Sequence, residues 1–261
     1  MKLGLCIEMA FDKLPFEERV RKASELGFKF VEMWFVDMSF KGTPQELAAI
    51  AKRHGVTITD TVIGSPDGKI GGGLTDPANR DQWLARAQMT LDYTRQAGIP
   101  AAIVCAGNTV EGMTERQMMK SVVAGLKQTA KLADAAGVTL LLEPLNTKHD
   151  HPGYWLDNST KGAEVCRRVG SPRMKMLYDC YHMQIMEGDL VGHIQAALDV
   201  IGHFHGAGHP GRHELWLGET NYAFLTKRIA EMGYTGVFGL EYAPSGDPVE
   251  SLKKTRQYLG E

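Results

Sequence analysis

Seven times along this chain an amphipathic stretch runs into a glycine and then into a short apolar run. The segments are ASELGFKFVEMW, AKRHGVTITDTV, TRQAGIPAAIVC, ADAAGVTLLLE, CRRVGSPRMKMLYD, DVIGHFHGAG and AEMGYTGVFGLE, with glycines at Gly27, Gly55, Gly98, Gly137, Gly170, Gly202 and Gly233. Glycine ends a helix in the left-handed conformation without steric cost. The runs that follow are rich in Val, Ile, Leu and Phe, as strands buried on both faces of a parallel sheet are. With the opening run from Leu3 to Glu8 they make eight strands alternating with helices. Alternation returns each strand parallel to the last by a right-handed crossover. Eight such units in 261 residues predict an α/β chain folded as a single (β/α)8 TIM barrel over 1–261. An open doubly wound sheet shares the alternation, but no Gly-rich dinucleotide fingerprint follows the first strand.

Composition narrows what such a chain can do. At 43% apolar and 23% charged residues it has ample material for one large core, which excludes a disordered or fibrous chain. Lys plus Arg number 29 against 31 for Asp plus Glu, a formal charge of −2 with no run of like charge. That pattern favours neither a nucleic-acid partner nor a membrane surface. Cys6, Cys105, Cys166 and Cys180 form no CxxC pair, so reduced thiols are expected rather than a disulfide scaffold or zinc ribbon. MKLGLCIEMAFDKL has too short an apolar run for a signal peptide, and no stretch approaches a membrane span, so a cytoplasmic protein is expected. The LKKTRQYL tail reads as a last amphipathic helix closing the barrel.

In this barrel, chemistry sits at the C-terminal ends of the strands. The fifth strand, TLLLE, ends in Glu143, and the sixth, MKMLYD, ends in Asp179 with His182 three residues on. The seventh carries His205, and the eighth, GVFGLE, ends in Glu241. Singly, each acid reads equally well as the first solvated residue of a loop. His203 and His205 share a face and fit barrel-interior histidines too. Together, four consecutive strands place Glu, Asp, His and Glu at matching depth. Three carboxylates at one mouth repel by on the order of several kcal/mol at low dielectric, and a divalent cation offsets that repulsion. Three carboxylates and an imidazole suit Mg²⁺, Mn²⁺ or Co²⁺.

Several loops carry further candidates. Arg212, in HPGRHELWLGETNY, offers a planar fork of donors to an anionic or hydroxylated substrate, with His213 and Glu214 as neighbours. HEL does not continue to HExxH, which excludes a metalloprotease helix. Trp34, after the second strand, is placed to wall the pocket. The segment GSPDGKIGGGLTDPANR lacks the GK[ST] of a phosphate loop, and its length and glycines suit a lid beside the site.

LLEPLN, YDCYHMQIMEGDL, GRHELWLGETNY and GLEYAPSG together resemble the hydroxypyruvate isomerase family, within the xylose-isomerase-like TIM barrels that also include ketose 3-epimerases. The resemblance covers nearly the whole chain. It implies Glu143, Asp179, His205 and Glu241 as ligands of one divalent metal ion, Glu143 and Glu241 as the acid/base pair, and His182 and Arg212 as substrate contacts. It also implies a homodimer. This chain departs from the pattern twice. His205 stands where members resembling hydroxypyruvate isomerase often carry Gln, His being the epimerase-like choice. His149, a further substrate-contact candidate, stands where an acid is expected.

The chemistry implied is proton transfer beside a carbonyl of a small keto-sugar or hydroxy-acid, through an enediolate stabilised by the metal. Return of the proton to the adjacent carbon gives aldose–ketose isomerisation, and return to the opposite face gives epimerisation. Three other readings compete. A DNA endonuclease of the same superfamily calls for more strand-end histidines and a basic face. An amidohydrolase calls for HxH on the first strand. A non-catalytic sugar-binding barrel has no use for converging carboxylates.

Overall fold

The computed structural model describes residues 1–261. The chain runs β1 (Lys2–Cys6), α1 (Ile7–Ala10), α2 (Phe16–Glu25), β2 (Phe30–Glu32), α3 (Pro44–His54), β3 (Thr57–Ile58), β4 (Asp60–Val62) and α4 (Arg80–Ala97). It continues through β5 (Ala101–Val104), α5 (Glu115–Ala136), β6 (Thr139–Leu142), α6 (Ser159–Val169), β7 (Met174–Asp179), α7 (Cys180–Met186) and α8 (Leu190–Ala197). It ends with β8 (Ile201–Gly206), α9 (Tyr222–Glu231), β9 (Val237–Leu240) and α10 (Pro248–Leu259). No helix is long and apolar enough to cross a membrane.

The strands pair in parallel in the order β3-β2-β1-β9-β8-β7-β6-β5-β4. The two ends of that row are consecutive in sequence, so the row is a barrel. The expected third strand divides at Thr59, its first half pairing with β2 and its second with β5. Thr59 N–H still donates to Val31 O at 2.9 Å and Val62 N–H to Trp34 O at 3.1 Å, which carries the closure past the break.

Local signals explain the helices. Thr43 with Glu46 and Thr114 with Gln117 form capping boxes at the starts of α3 and α5. Six of the seven repeat glycines adopt positive φ at helix ends, from 63° at Gly55 to 92° at Gly233. Gly202 differs from expectation. It lies inside β8, where the register against β7 shifts so that Leu177 faces His203 rather than Gly202. A Cβ there would meet Lys175 Cβ at 2.7 Å, so the residue absorbs a bulge instead of ending a helix.

The main apolar core, 65 buried residues, fills the space between barrel and helices. Strand side chains alternate between that core and the lumen. The lumen's separate apolar cluster has only Val62, Ile103, Leu141 and Leu177.

Candidate active site and metal centre

Glu143, Asp179, His205 and Glu241 stand at or just past the ends of β6, β7, β8 and β9. Each is buried and offers a ligand atom within 4.8 Å of the others. Backbone register sets their common depth: Asp179 pairs with His205, and His205 with Gly239 two residues before Glu241. Glu143 N–H donates to Val104 O at 3.1 Å, and its carbonyl accepts from the Tyr154 hydroxyl at 2.9 Å. Asp179 caps α7 through Oδ1, which takes the N–H of Tyr181 at 2.7 Å and leaves Oδ2 for the cluster. His205 Nδ1 faces Glu241 Oε2 at 3.5 Å and Glu143 Oε1 at 3.8 Å. It has no hydrogen-bond partner.

Arg212 reaches Glu241 Oε2 with Nη2. It does so from a left-handed backbone conformation, φ 56°, while its guanidinium lies 5.3 Å from the Tyr181 ring centroid. Its Nε is buried without a partner. His182 is fully buried, and its Nδ1 accepts the backbone N–H of Asn146 at 3.2 Å. That fixes the neutral ring with its proton on Nε2, 3.5 Å from Asp179 Oδ2. Burial, with Arg212 nearby, pushes His182 well below the ordinary imidazole range, in agreement with that tautomer.

Burial also dominates the carboxylates. It raises Glu143 and pushes Asp179 up to about 7. Glu241 is equally buried, yet Arg212 and His205 hold it well below the usual range. Two carboxylates facing one imidazole nitrogen thus have opposed proton affinities.

Above the cluster lies a cavity of about 250 Å³, lined by Glu143, Glu241, His182 and Arg212 on its polar side. Trp34 and Phe35 form part of its apolar wall, with Val62 and Ile103 deeper. His149 is not in the lining and stacks on His209 at 5.7 Å, whereas His151, two residues on, lines the cavity. Asn146 causes this turn of the loop, its Oδ1 accepting the N–H groups of both His149 and Asp150 at 3.0 Å. His213 and Glu214 also face elsewhere. His213 Nδ1 binds Ala243 O at 2.8 Å, and Glu214 accepts from Ser245 and Ser251, clamping the loop after β8 to α10.

The glycine-rich segment 64–80 is not an open flap. Ser65 and Pro66 line the cavity, but Leu74 N–H donates to Ala106 O at 2.8 Å. Gly73 packs so closely on Gly107 that a Cβ on Gly107 would lie 2.7 Å from its Cα. The glycines there allow backbone to meet backbone.

Beneath His205 is a layer that the strand-end reading left out. Glu32 and Asp60 enter the lumen beside His203, with His203 Nε2 donating to Glu32 Oε1 at 2.9 Å and lying 3.8 Å from Asp60 Oδ2. Burial and the charge of Glu32 push Asp60 well above the carboxylate range. Glu32, despite its burial, is held down to about 2 by His205 and His203. The signal was present in the sequence: FKFVE and TITD are apolar runs ending in an acid, like those of the later strands.

Comparison with known proteins agrees with this architecture. Residues 20–261 match the xylose isomerase-like TIM barrel family. The chain belongs to that family. It is 31% identical over 258 residues to the 2-oxo-tetronate isomerase of Cupriavidus necator, covering 97% of each chain. It is 30% identical over 245 residues to the hydroxypyruvate isomerase of Escherichia coli K12, covering 94% of each. The crystal structure of a Brucella melitensis protein named AP endonuclease, family 2, superposes with a TM-score of 0.90 at 28% identity, covering 99% of each chain. Aligned almost end to end with two isomerases, the chain is an isomerase.

Proposed function

We propose that the chain is a metal-dependent isomerase of a small hydroxy-keto acid or keto-sugar, working by proton transfer through an enediolate. The observation that carries this reading is the buried quartet, in which one partnerless imidazole nitrogen faces two carboxylates. Three carboxylates and one imidazole fit Mg²⁺, Mn²⁺ or Co²⁺, with Glu143, Asp179, His205 and Glu241 as the holders. Such an ion, when bound, supplies Lewis-acid polarisation of a substrate carbonyl.

The chain's own groups account for the rest. His182 presents Nε2–H, and Arg212 its free Nε, to substrate oxygens. One of Glu143 and Glu241 takes the proton from the hydroxyl-bearing carbon as the electron pair moves toward the carbonyl oxygen. Return of that proton to the former carbonyl carbon, with the hydroxyl proton passing from the old hydroxyl oxygen to the old carbonyl oxygen, completes an aldose–ketose exchange. Trp34 and Phe35 help keep water from the reacting carbons. The keto acids in the names of the two relatives are the first substrates to try. His205 is the observation that favours ketose 3-epimerisation as the second reading, and product analysis separates the two.

Glu143→Gln and Glu241→Gln test the assignment by deuterium exchange from solvent into a hydroxy-keto substrate. Each is expected to slow exchange by about 10²–10⁴-fold while metal stays bound. Wild-type exchange in both metal-loaded variants would sink the assignment.

A further inference from the structure

Glu32 is almost fully enclosed in the lumen, and the barrel is built around it. Gly4 on β1 and Gly239 on β9 are register partners, and both face its carboxylate. A Cβ on Gly4 would meet Glu32 Oε1 at 2.9 Å, and one on Gly239 would meet Oε2 at 2.6 Å and His205 Cδ2 at 2.6 Å. Two strands therefore lack side chains at the spot where this carboxylate sits. Burying a charge there is costly unless it is well partnered. Its partners are two imidazoles: Oε1 with His203 Nε2 at 2.9 Å, and Oε2 with His205 Nε2 at 3.0 Å. The second contact is a close charge pair rather than an aligned hydrogen bond, and neither Oε2 of Glu32 nor Nε2 of His205 has any other polar partner, so each is the other's only outlet.

We propose that Glu32 is the positioning residue of the metal centre: its carboxylate holds the His205 proton on Nε2 and so turns the Nδ1 lone pair toward Glu143, Asp179 and Glu241. The inference rests on the metal reading of that quartet. The two nitrogens of an imidazole are not equivalent, and whichever carries the proton cannot bind an ion. A carboxylate behind a ligating histidine fixes the tautomer, orients the ring and raises its basicity. Glu32 does this for two rings at once because a carboxylate has two acceptor oxygens. Glutamine has one, so Glu32→Gln confronts one imidazole N–H with an amide NH₂.

Calorimetric titration of Mn²⁺ into wild type, Glu32→Gln and Glu32→Asp tests this, together with the visible spectrum of the Co²⁺ forms and the melting temperature of the metal-free proteins. The expected result is Mn²⁺ binding to Glu32→Gln weaker by about 10–100-fold, with an altered Co²⁺ spectrum. Glu32→Asp, which keeps the charge but withdraws it by one methylene, is expected to fall between. A purely structural role would lower the metal-free melting temperature and leave the affinity of the folded fraction alone. Should Glu32→Gln not fold, Glu32→Asp carries the test. Wild-type Mn²⁺ binding with Glu32 variants within twofold of it overturns the positioning role and leaves the metal reading standing. A wild type that binds neither Mn²⁺ nor Co²⁺ overturns the metal reading, and this inference with it.

Discussion

The lumen of the barrel has two unlike halves. From β4 to β7 it is closed by Val62, Ile103, Leu141 and Leu177, a dry cluster of aliphatic side chains. From β8 round to β2 the lumen instead holds His203, Gly239, Gly4 and Glu32, with Asp60 at the seam. Glu143 and Asp179 rise from the aliphatic half, His205 and Glu241 from the polar half. A carboxylate needs only a firm backbone beneath it, because both its oxygens accept and rotation does not change its chemistry. An imidazole offers a lone pair from one nitrogen only when the other is protonated. On the proposed metal reading, the polar half is the price of using histidine as a ligand.

The largest effect separating the halves comes from the dry side. Leu141 lies two residues before Glu143 and is 3% exposed. Leu141→Ala opens a cavity with few ways to collapse and is expected to lower stability by about 2–5 kcal/mol in urea denaturation. Mn²⁺ affinity of the folded protein should stay near wild type, since the Glu143 backbone remains tied to Val104. If Leu141→Ala weakened Mn²⁺ as much as Glu32→Gln, the division between the halves would collapse.

Gly239→Ala attacks the other side by a single methyl. Its φ is unexceptional, so only space is at issue. The added Cβ would press on Glu32 and on the His205 ring together. Overpacking of this kind costs about 1–3 kcal/mol. Unlike Leu141→Ala, it should also weaken Mn²⁺ binding, because both displaced groups serve the Nδ1 donor. A variant that lost stability but bound Mn²⁺ as wild type does would show that the glycine socket serves packing alone.

How much of this was legible in the sequence follows from the range of each signal. Glycine-ended helices and apolar strand runs are local, so the barrel and the four strand-end residues could be read one unit at a time. Gly202 looked the same as the helix-ending glycines, but its role depends on register against β7, which no local window contains. Thr59 splits a strand for the same reason, since its two flanks answer to different neighbours. Glu32 and Asp60 carried a readable signal, an acid closing an apolar run. The loop residues were least legible: His149 and His151 differ in role because Asn146 turns the chain between them, and no periodicity records such a turn.

The smallest expected effect lies at the rim, where the halves are tied together. Arg86, on α4, donates from Nε to Ile63 O at 2.7 Å, just past β4. It also grips Asp37, in the loop after β2, through Nη1 at 2.6 Å and Nη2 at 2.8 Å. That loop carries Trp34 and Phe35, so the pair fixes the cavity's aromatic wall against the aliphatic half. Asp37 is 45% exposed, and solvent screens the pair, so Asp37→Asn should lower stability by less than about 1 kcal/mol. Hydrogen bonds from Arg86 lower the Asp37 pKa on folding. A lowered folded-state value means the stabilisation is fully present above the unfolded value of about 3.9 and is lost as pH falls through the folded one. Urea midpoints of wild type and Asp37→Asn should therefore differ at neutral pH and converge as the solution is acidified. A gap that instead widened on acidification would show that the Asp37 carboxylate opposes the fold at the rim.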